Sequence, residues 1–197
     1  TTVKKQAFDW KQATDKKSVT ITTSLEATVG SGTQKVVLPF DVTYTVYANG
    51  TVDIDATFKA GNDFNLPRLG LQVALNPTLE QVEWYGRGPI ENYIDRNHCT
   101  NLGIYHQSVT EQFYPYIRPQ ENGTKTDIRW WKMLNKAGNG IEVIAATPFS
   151  ASALHYTIES LDEGWSKQQG HSQEVEEADL TNLCIDKVQA GLGCVNS

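Results

Sequence analysis

Apolar and polar residues alternate along two neighbouring stretches of the chain, residues 36–47 and 52–58. The dipeptide Asn49-Gly50 separates the two stretches, and it favours a tight hairpin turn. Alternation with a period of two gives each stretch one face for a core and one face for water. The sequence therefore predicts a β-hairpin over residues 36–58.

Weaker alternation predicts further strands elsewhere in the chain. Val19, Ile21 and Leu25 hint at an early strand, and the later ones cover residues 69–75, 82–85, 128–134, 140–146, 152–157 and 180–188. Residues 1–18 are polar and lysine-rich, which is typical of an edge segment or a linker, and only residues 91–97 and 158–164 have a helical pattern. Many strands separated by turns, without helical crossovers, predict an all-β antiparallel sandwich.

Composition narrows the range of functions. A chain of 197 residues with 39% hydrophobic residues fits one ordinary domain with a core, so we expect a single β-sandwich domain over residues 1–197. A net charge of -6 and a pI near 5.2 argue against a nucleic-acid partner, and no apolar run is long enough for a membrane helix. The chain starts at Thr1 without a signal-like segment, as expected for a piece of a longer protein or a processed mature chain.

Arginines, carboxylates and aromatic rings are concentrated between Trp84 and Trp131. Such a set can bind a sugar through ring faces and charged groups, or it can hold long loops on a sheet through ion pairs. Hydrolysis of a glycosidic bond usually needs two facing carboxyl groups, and four candidates are present: Glu91, Asp95, Glu121 and Asp127. Each is close in sequence to an arginine, namely Arg87, Arg96, Arg118 or Arg129. Because an adjacent guanidinium lowers a carboxyl pKa, the pattern favours structural ion pairs over acid catalysis.

Three smaller features have both a structural and a functional interpretation. His155 and Glu159 can act as an acid–base pair on a sugar, but a hydrogen-bonded structural histidine is the commoner case. Trp130 and Trp131 are candidate sugar-stacking platforms, but adjacent residues on a strand point to opposite faces, so at most one can reach a given site while the other belongs to the core. An odd number of cysteines without C-x-x-C spacing predicts neither zinc nor a disulfide framework and favours buried thiols at Cys99, Cys184 and Cys194.

Five segments together resemble the C-terminal domain, also called the small-chain domain, of lac-type β-galactosidases in glycoside hydrolase family two. They are LPRLG at 66–70, WYGRGPIENYIDR at 84–96, PYIRPQENG at 115–123, TDIRW at 126–130 and SALHY at 152–156. The resemblance is strongest from about residue 65 to residue 197 and looser before it.

This resemblance implies a galactose-mutarotase-like supersandwich that forms the fifth domain of a multidomain enzyme. The parent enzyme hydrolyses terminal β-galactosides such as lactose, with its two catalytic glutamates on a separate (β/α)₈ barrel. No catalytic residue is therefore expected in this chain, which is expected to act as a scaffold and as a wall of the active site. The residues expected near substrate are Arg118, Glu121, His155, Gly193, Asn196 and Ser197.

The last seven residues resemble the family's segment that leads into the sugar pocket. That segment reads Gly-x-Gly-Gly-x-Asn-Ser and is followed directly by a tryptophan that contacts the sugar. Residues 191–197 match it except that Cys194 replaces a glycine, and the sequence ends at Ser197. The platform tryptophan is therefore missing from this sequence, and Cys194 changes the backbone freedom of the loop.

The resemblance also implies partners and cofactors. The expected partners are the remaining domains of the parent enzyme and its galactoside substrate, in a homo-oligomer in the bacterial cytoplasm or periplasm. Mg and Na are expected on other domains, with no metal or cofactor in this one. Two alternative functions stay open from the residues: a sugar-binding module around Arg118, Glu121 and Trp130, or an aldose 1-epimerase (mutarotase) that uses His155 and Glu159.

Overall fold

A computed structural model describes residues 2–29, 36–58, 68–161 and 171–191 of the chain. The chain forms two compact units, Thr1–Asn65 and Leu66–Ser197. The boundary between them coincides with the point at which the family resemblance becomes strong. The expectation of a single sandwich domain over residues 1–197 stays a prediction.

The first unit contains a four-stranded antiparallel sheet in the spatial order β1-β2-β3-β4. Its strands are β1 (Thr2–Gln12), β2 (Ser18–Val29), β3 (Val36–Tyr47) and β4 (Val52–Phe58). The predicted hairpin is confirmed, because β3 and β4 pair with Val46 opposite Val52. The amide of Gly50 donates to the carbonyl of Tyr47 at 3.0 Å and closes the turn.

Strand β1 is the element of this unit for which the sequence prediction was least definite. It is a regular strand of 11 residues rather than a linker, and every residue in it is exposed. Among the described strands it pairs with β2 alone, and it contains a register shift between Lys5 and Ala7. Lysines and a bulge are typical means of protecting an edge strand from pairing with other chains.

The second unit contains a six-stranded sheet in the order β5-β10-β9-β8-β6-β7, with antiparallel neighbours throughout. Its strands are β5 (Arg68–Leu75), β6 (Gln81–Gly88), β7 (Asn101–Ser108), β8 (Lys125–Leu134), β9 (Gly140–Leu154) and β10 (Thr181–Gln189). Two four-residue helices, α1 (Val109–Gln112) and α2 (Ile158–Leu161), and a 3-10 turn (Ser172–Glu174) connect them. The prediction of an all-β antiparallel fold is confirmed.

Four details of the predicted elements need correction. Strand β7 was not predicted, and neither was α1. Residues 152–157 are not a separate strand, because β9 runs unbroken to Leu154 and ends there. Residues 91–97 form turns rather than a helix. In the predicted helix at 158–164, residues 158–161 form α2, and residues 162–164 lie outside the described residues.

The core of the second unit is centred on two tryptophans that stack across neighbouring strands. The rings of Trp84 on β6 and Trp131 on β8 are fully buried, with their centroids 5.5 Å apart. Gly86 follows on β6, and a Cβ there would lie 2.5 Å from Cδ1 and 3.0 Å from Cα of Ile128. Only glycine lets β6 and β8 approach this closely, so the Trp-Tyr-Gly pattern serves the packing of the core.

We expect Trp131→Ala to lower the free energy of unfolding by about 3–5 kcal/mol, because it removes a fully buried ring and leaves a cavity. Trp10→Ala is the matched control, since Trp10 is 61% exposed and should change the free energy by within about 0.5 kcal/mol. Urea unfolding followed by circular dichroism measures both. Equal losses for the two variants would contradict the assignment of Trp131 to the core.

Candidate functional site

Two long loops of the second unit contain most of the candidate residues: the β6–β7 loop (residues 89–100) and the α1–β8 loop (residues 113–124). The carboxylate of Glu91 joins them. It accepts hydrogen bonds from the guanidinium of Arg96 at 2.5 Å, the amide of Gly123 at 2.8 Å and the hydroxyl of Tyr116. Burial and the hydrogen bond to Glu91 raise the pKa of Tyr116 to about 12, so its hydroxyl stays a donor. Glu91 is fully engaged as an acceptor.

Two buried asparagines fix the same loops: Asn92 attaches the β6–β7 loop to the sheet, and Asn122 closes the α1–β8 loop on itself. Oδ1 of Asn92 accepts from the amide and the hydroxyl of Thr126 on β8, and the amide of Asn92 donates to the carbonyl of Thr124 at 2.7 Å. Asn122 bonds both polar backbone groups of Tyr114, through Oδ1 at 2.8 Å and Nδ2 at 2.6 Å. These side chains replace the backbone partners that the loop lacks.

A second ion pair fixes the β6–β7 loop at its other end. Nε of Arg87 donates to Oδ2 of Asp127 at 2.6 Å, and Nη1 donates to the carbonyls of Thr100 at 2.9 Å and Asn97 at 3.3 Å. Asp127 lies at a register shift of β8 and has a φ of +55°. Aspartate tolerates this left-handed conformation better than most residues, and here the bulge orients its carboxylate toward Arg87.

A third ion pair joins three separate parts of the second unit. The guanidinium of Arg68 on β5 donates through Nε and Nη2 to both carboxylate oxygens of Asp186 on β10, at 2.9 and 2.8 Å. Its Nη1 donates to Glu121 of the α1–β8 loop at 2.9 Å. Burial alone would lower the pKa of Arg68, but the hydrogen bonds and charge of Asp186 outweigh burial and raise it. Burial raises the pKa of Asp186 against the opposing effect of Arg68, so the two charges persist in this position because they neutralise each other.

The space beside this ion pair is too small for a sugar. Arg68, Glu121, Asn182 and Cys184 border a cavity of about 20 Å³, which is sufficient for one water molecule. Ligand pockets for drug-sized molecules usually occupy about 300–1,000 Å³. The cavity beside Glu121 is therefore smaller than a sugar-binding pocket requires.

A groove of about 330 Å³ lies elsewhere, along β6 and β7, and it is large enough for a small ligand. Two carboxylates border it, but both are engaged. Glu83 lies 3.3 Å from Nδ1 of His106. Glu111 accepts from the amide and the hydroxyl of Ser108, which lowers the pKa of Glu111. A general acid for glycoside hydrolysis needs a raised pKa, so this groove lacks the required pair.

His155 is hydrogen-bonded through both ring nitrogens. Nε2 lies 2.7 Å from Oε2 of Glu80, and Nδ1 lies 3.1 Å from the carbonyl of Leu180. Both ring nitrogens are therefore occupied by structural partners. Burial would raise the pKa of Glu80, but hydrogen bonds from Thr110 and then from His155 lower it. Glu159, which the sequence suggested as the partner of His155, is exposed and makes no contact with it.

The six residues expected near substrate are therefore dispersed. Glu121 is bound to Arg68, His155 is bound to Glu80, and Arg118 is exposed without an ion pair to any described residue. Residues 193, 196 and 197 lie outside the described residues, so the roles of all six stay predictions.

The predicted ion pairs are confirmed for Glu91 and Asp127, with Arg96 and Arg87 as their partners. Glu121 pairs with Arg68 instead of the neighbouring Arg118, and Asp95 makes no ion pair with any residue that the structure describes. Arg129 contacts the backbone carbonyl of Asp127 rather than a carboxylate.

The remaining predictions about single side chains have mixed outcomes. The two adjacent tryptophans divide as predicted, with Trp131 in the core and Trp130 half-buried on the opposite face. Cys184 is a buried thiol as expected, whereas Cys99 is exposed, so the prediction of burial is wrong there.

No sequence pattern indicates the role of Lys125, which is the most buried charged side chain in this region. Its Nζ lies 2.9 Å from the carbonyl of Gly123, 3.5 Å from Oε1 of Gln112 and 5.3 Å from the centre of the Trp84 ring. Burial lowers the pKa of Lys125 from its usual value of 10.5 to about 8, although the charge of Glu91 opposes the shift. A lysine on a strand is normally read as a surface residue, and only the position of the loops reveals its burial.

The described residues give no indication of a metal site or a membrane span. Within ranges 2–29, 36–58, 68–161 and 171–191, no three His, Cys, Asp or Glu side chains are grouped so that they can hold a metal ion. In the same ranges, no helix is both long and apolar enough to cross a membrane.

The fold and this site define a class of protein: an all-β domain in which carboxylates paired with arginines hold long loops in place. Residues 1–197 match the family model described as "Beta galactosidase small chain". The chain belongs to this family.

Curated relatives agree with the family assignment. The chain is 33% identical over 156 residues to a β-galactosidase of Priestia megaterium, covering 77% of the chain and 14% of the relative. It is 32% identical over 171 residues to a β-galactosidase of Actinobacillus pleuropneumoniae, covering 86% of the chain and 16% of the relative. The match thus spans only about a seventh of the length of these relatives.

The burial of Lys125 leads to a prediction about how the stability of the fold depends on pH. Below pH 8 Lys125 is protonated in both the folded and unfolded states, so the folded state carries the full cost of a buried ammonium. Between pH 8 and 10.5 the folded state releases this proton while the unfolded state keeps it, so this group makes stability rise with pH. Above pH 10.5 both states are neutral and the cost is absent.

We therefore expect the unfolding free energy of the wild type, relative to Lys125→Met, to rise by up to roughly 3 kcal/mol between pH 7.5 and 10.5. Denaturant unfolding at several pH values measures it, and other groups cancel in the difference. Lys132→Met, which removes another lysine of β8, is the control for the loss of a lysine side chain. A flat difference for Lys125→Met would show that its ammonium is not buried.

The contacts of His155 lead to a second prediction. A double-mutant cycle with Glu80→Ala and His155→Ala should give a coupling energy of about 1–3 kcal/mol, because their side chains are only 32% and 12% exposed. The same cycle for Glu83 and His106, whose histidine is 69% exposed, should give below about 1 kcal/mol. Equal couplings in the two cycles would refute a structural role for the Glu80–His155 contact.

Proposed function

We propose that the chain is the C-terminal domain of a β-galactosidase that hydrolyses terminal β-galactosides such as lactose. In this proposal the domain is a scaffold and a wall of the active site, and the catalytic glutamates belong to another domain. The family match over residues 1–197 and the relatives named β-galactosidase support the substrate class.

The observation that supports the non-catalytic role is that three of the four candidate carboxylates between Trp84 and Trp131 are paired with arginines, whereas Asp95 is exposed. Glu91, Asp127 and Glu121 each bind an arginine. A carboxylate held in this way is a poor general acid, and its oxygens are already occupied by donors, so it is also a poor nucleophile. Their shared task is to hold the two long loops on the sheet.

The end of β10 supports the proposed contribution to the sugar pocket. Gly191 has a φ of +76°, and a Cβ there would lie 2.9 Å from Oδ1 of Asp95 and 3.1 Å from Cβ of Tyr93. The chain therefore leaves β10 in close contact with the β6–β7 loop, which Glu91 and Asn92 fix. In the proposal, Gly193, Asn196 and Ser197 contribute to the galactoside pocket, and Arg118, Glu121 and His155 support its wall.

The proposal also specifies what this domain does not supply. The Mg and Na of the parent family are assigned to other domains, and the parent enzyme is a homo-oligomer. No specific observation favours the alternative functions. The cavity beside Glu121 holds about one water molecule, and both ring nitrogens of His155 are occupied by structural partners.

The proposal is tested with the chain, the remainder of the same enzyme and the full-length enzyme, each produced in a host without β-galactosidase. We expect turnover of a chromogenic β-galactoside by the full-length enzyme and none by the chain alone, because the chain lacks the two catalytic glutamates. Galactoside turnover by the chain alone, lost in Glu91→Gln or Asp127→Asn, would overturn the non-catalytic role. A full-length enzyme without activity on any β-galactoside would overturn the substrate class.

A further inference from the structure

Asparagine precedes glycine at three places in the chain: Asn49-Gly50, Asn122-Gly123 and Asn139-Gly140. In this dipeptide the backbone nitrogen of the glycine can attack the side-chain amide of the asparagine, because glycine has no side chain to obstruct the approach. The reaction needs a nitrogen that can give up its proton and a side-chain amide that can rotate toward it. Hydrogen bonds to either group oppose the reaction, and the three dipeptides differ in the bonds that they make.

Asn122-Gly123 is fixed at every group that the reaction uses. Oδ1 and Nδ2 of Asn122 are both bonded to the backbone of Tyr114, at 2.8 and 2.6 Å. The amide of Gly123 donates to Oε2 of Glu91 at 2.8 Å. Because Asn122 is only 3% exposed, neither its side chain nor the glycine nitrogen can move without breaking buried hydrogen bonds.

Asn49-Gly50 is held less completely, but both of its reacting groups have a partner. Oδ1 of Asn49 accepts from the amide of Thr51 at 3.0 Å. The amide of Gly50 donates to the carbonyl of Tyr47 at 3.0 Å, which is the bond that closes the β3–β4 turn. Attack by the nitrogen of Gly50 therefore requires this turn to open first.

The side chain of Asn139, at the end of the β8–β9 turn, lacks such a restraint. It is exposed and makes no hydrogen bond to any residue that the structure describes. The backbone of Asn139 is held instead. Its amide donates to Oδ1 of Asn135 at 3.1 Å, and its carbonyl accepts from the amide of Asn135 at 2.8 Å. The side-chain amide can thus rotate on a fixed backbone.

The backbone nitrogen of Gly140 is also unrestrained within the described ranges. Asn135 and Asn139 form the hydrogen-bonded pair that closes the turn, so the next pair, Leu134 and Gly140, is a non-hydrogen-bonded pair of the antiparallel ladder. The N–H of Gly140 therefore points away from β8. On that other side β9 pairs with β10 over residues 150–154, far along the strand from Gly140.

We infer that Asn139-Gly140 is a site of spontaneous deamidation in the folded protein, and this inference is independent of the proposed function. The nitrogen of Gly140 loses its proton to solvent base and bonds to Cγ of Asn139. The bond from Cγ to Nδ2 breaks, and Nδ2 takes a proton from solvent and leaves as ammonia. Water then opens the cyclic imide. Cleavage between the nitrogen and Cγ leaves aspartate, and cleavage between the nitrogen and the backbone carbonyl carbon leaves isoaspartate.

The fold itself retains glycine at this position. A Cβ at Gly140 would collide with the carbonyl oxygen of Met133, so a bulkier residue that slows the reaction does not fit there. Both products add a negative charge at the end of the β8–β9 turn. Isoaspartate also adds a carbon to the backbone and displaces the carbonyl that accepts from the amide of Asn135.

Incubation of the folded full-length protein in heavy-oxygen water at mildly alkaline pH tests the inference, because each opened imide takes up a labelled oxygen. Peptide mapping by mass spectrometry gives the rates of all three dipeptides in one sample. We expect labelling at Asn139 to be at least about tenfold faster than at Asn49 or Asn122, because hydrogen bonds must break first at those two sites. In guanidinium-unfolded protein the three rates should agree within about threefold, since those bonds are lost there.

Four outcomes would overturn the inference. The first is equal labelling of the three sites in the folded protein, and the second is labelling of Asn139 only after unfolding. A preference for Asn139 that persists unchanged in guanidinium would assign the effect to local sequence rather than to hydrogen bonding. Labelled aspartate without isoaspartate would indicate direct hydrolysis of the side chain by water.

Asn139→Gln is the matched control variant. Its longer side chain keeps the amide but must form a larger ring, so we expect labelling at position 139 to be lost. The rates at Asn49 and Asn122 should stay as in the wild type. Undiminished labelling at position 139 of this variant would contradict attack by the nitrogen of Gly140.

Discussion

The structure of the second unit depends on one constraint: two long loops that lie on its sheet contain buried polar groups, and each such group needs a partner. Glu91, Asn92 and Asn122 provide most of these partners, through contacts with Gly123, Thr126 and the backbone of Tyr114. Leaving a buried donor or acceptor without a partner costs about 1–3 kcal/mol, so these three side chains restrict the loops to one conformation. The ion pairs of Arg87 with Asp127 and of Arg96 with Glu91 add further contacts to the β6–β7 loop.

The sequence predicts strands well where the buried face is apolar, and poorly where it is not. The hairpin of β3 and β4 was predicted because its apolar residues alternate and an Asn-Gly turn joins them. The alternation of apolar and polar residues does not predict strand β7, because it is reversed there. Leu102 and Ile104 are exposed, and Gly103 faces the same side of the sheet as the Tyr105 ring. Strand β1 was ambiguous because an edge strand with every residue exposed has the composition of a linker.

The candidate site was predictable in kind but not in detail. The abundance of arginines beside carboxylates correctly indicated structural ion pairs, because guanidinium and carboxylate neutralise each other on burial. The partners themselves depend on sheet order, which places β10 beside β5 and brings Arg68 to Asp186 over 118 positions of sequence. The contact of His155 with Glu80 could not be predicted for the same reason, because these residues are 75 positions apart in the sequence. The residues near them in sequence, Arg118 for Glu121 and Glu159 for His155, are therefore not their partners.

Ion pairing of the carboxylates has an electrostatic consequence for the proposed wall. A free carboxylate beside a catalytic glutamate raises the pKa of that glutamate, and an unpaired arginine lowers it. The pairs of Glu91 with Arg96 and of Asp127 with Arg87 present nearly neutral groups instead, although the chain as a whole has a charge of -6. A wall built from such pairs can define the shape of a pocket while leaving the protonation of the catalytic groups to the domain that contains them.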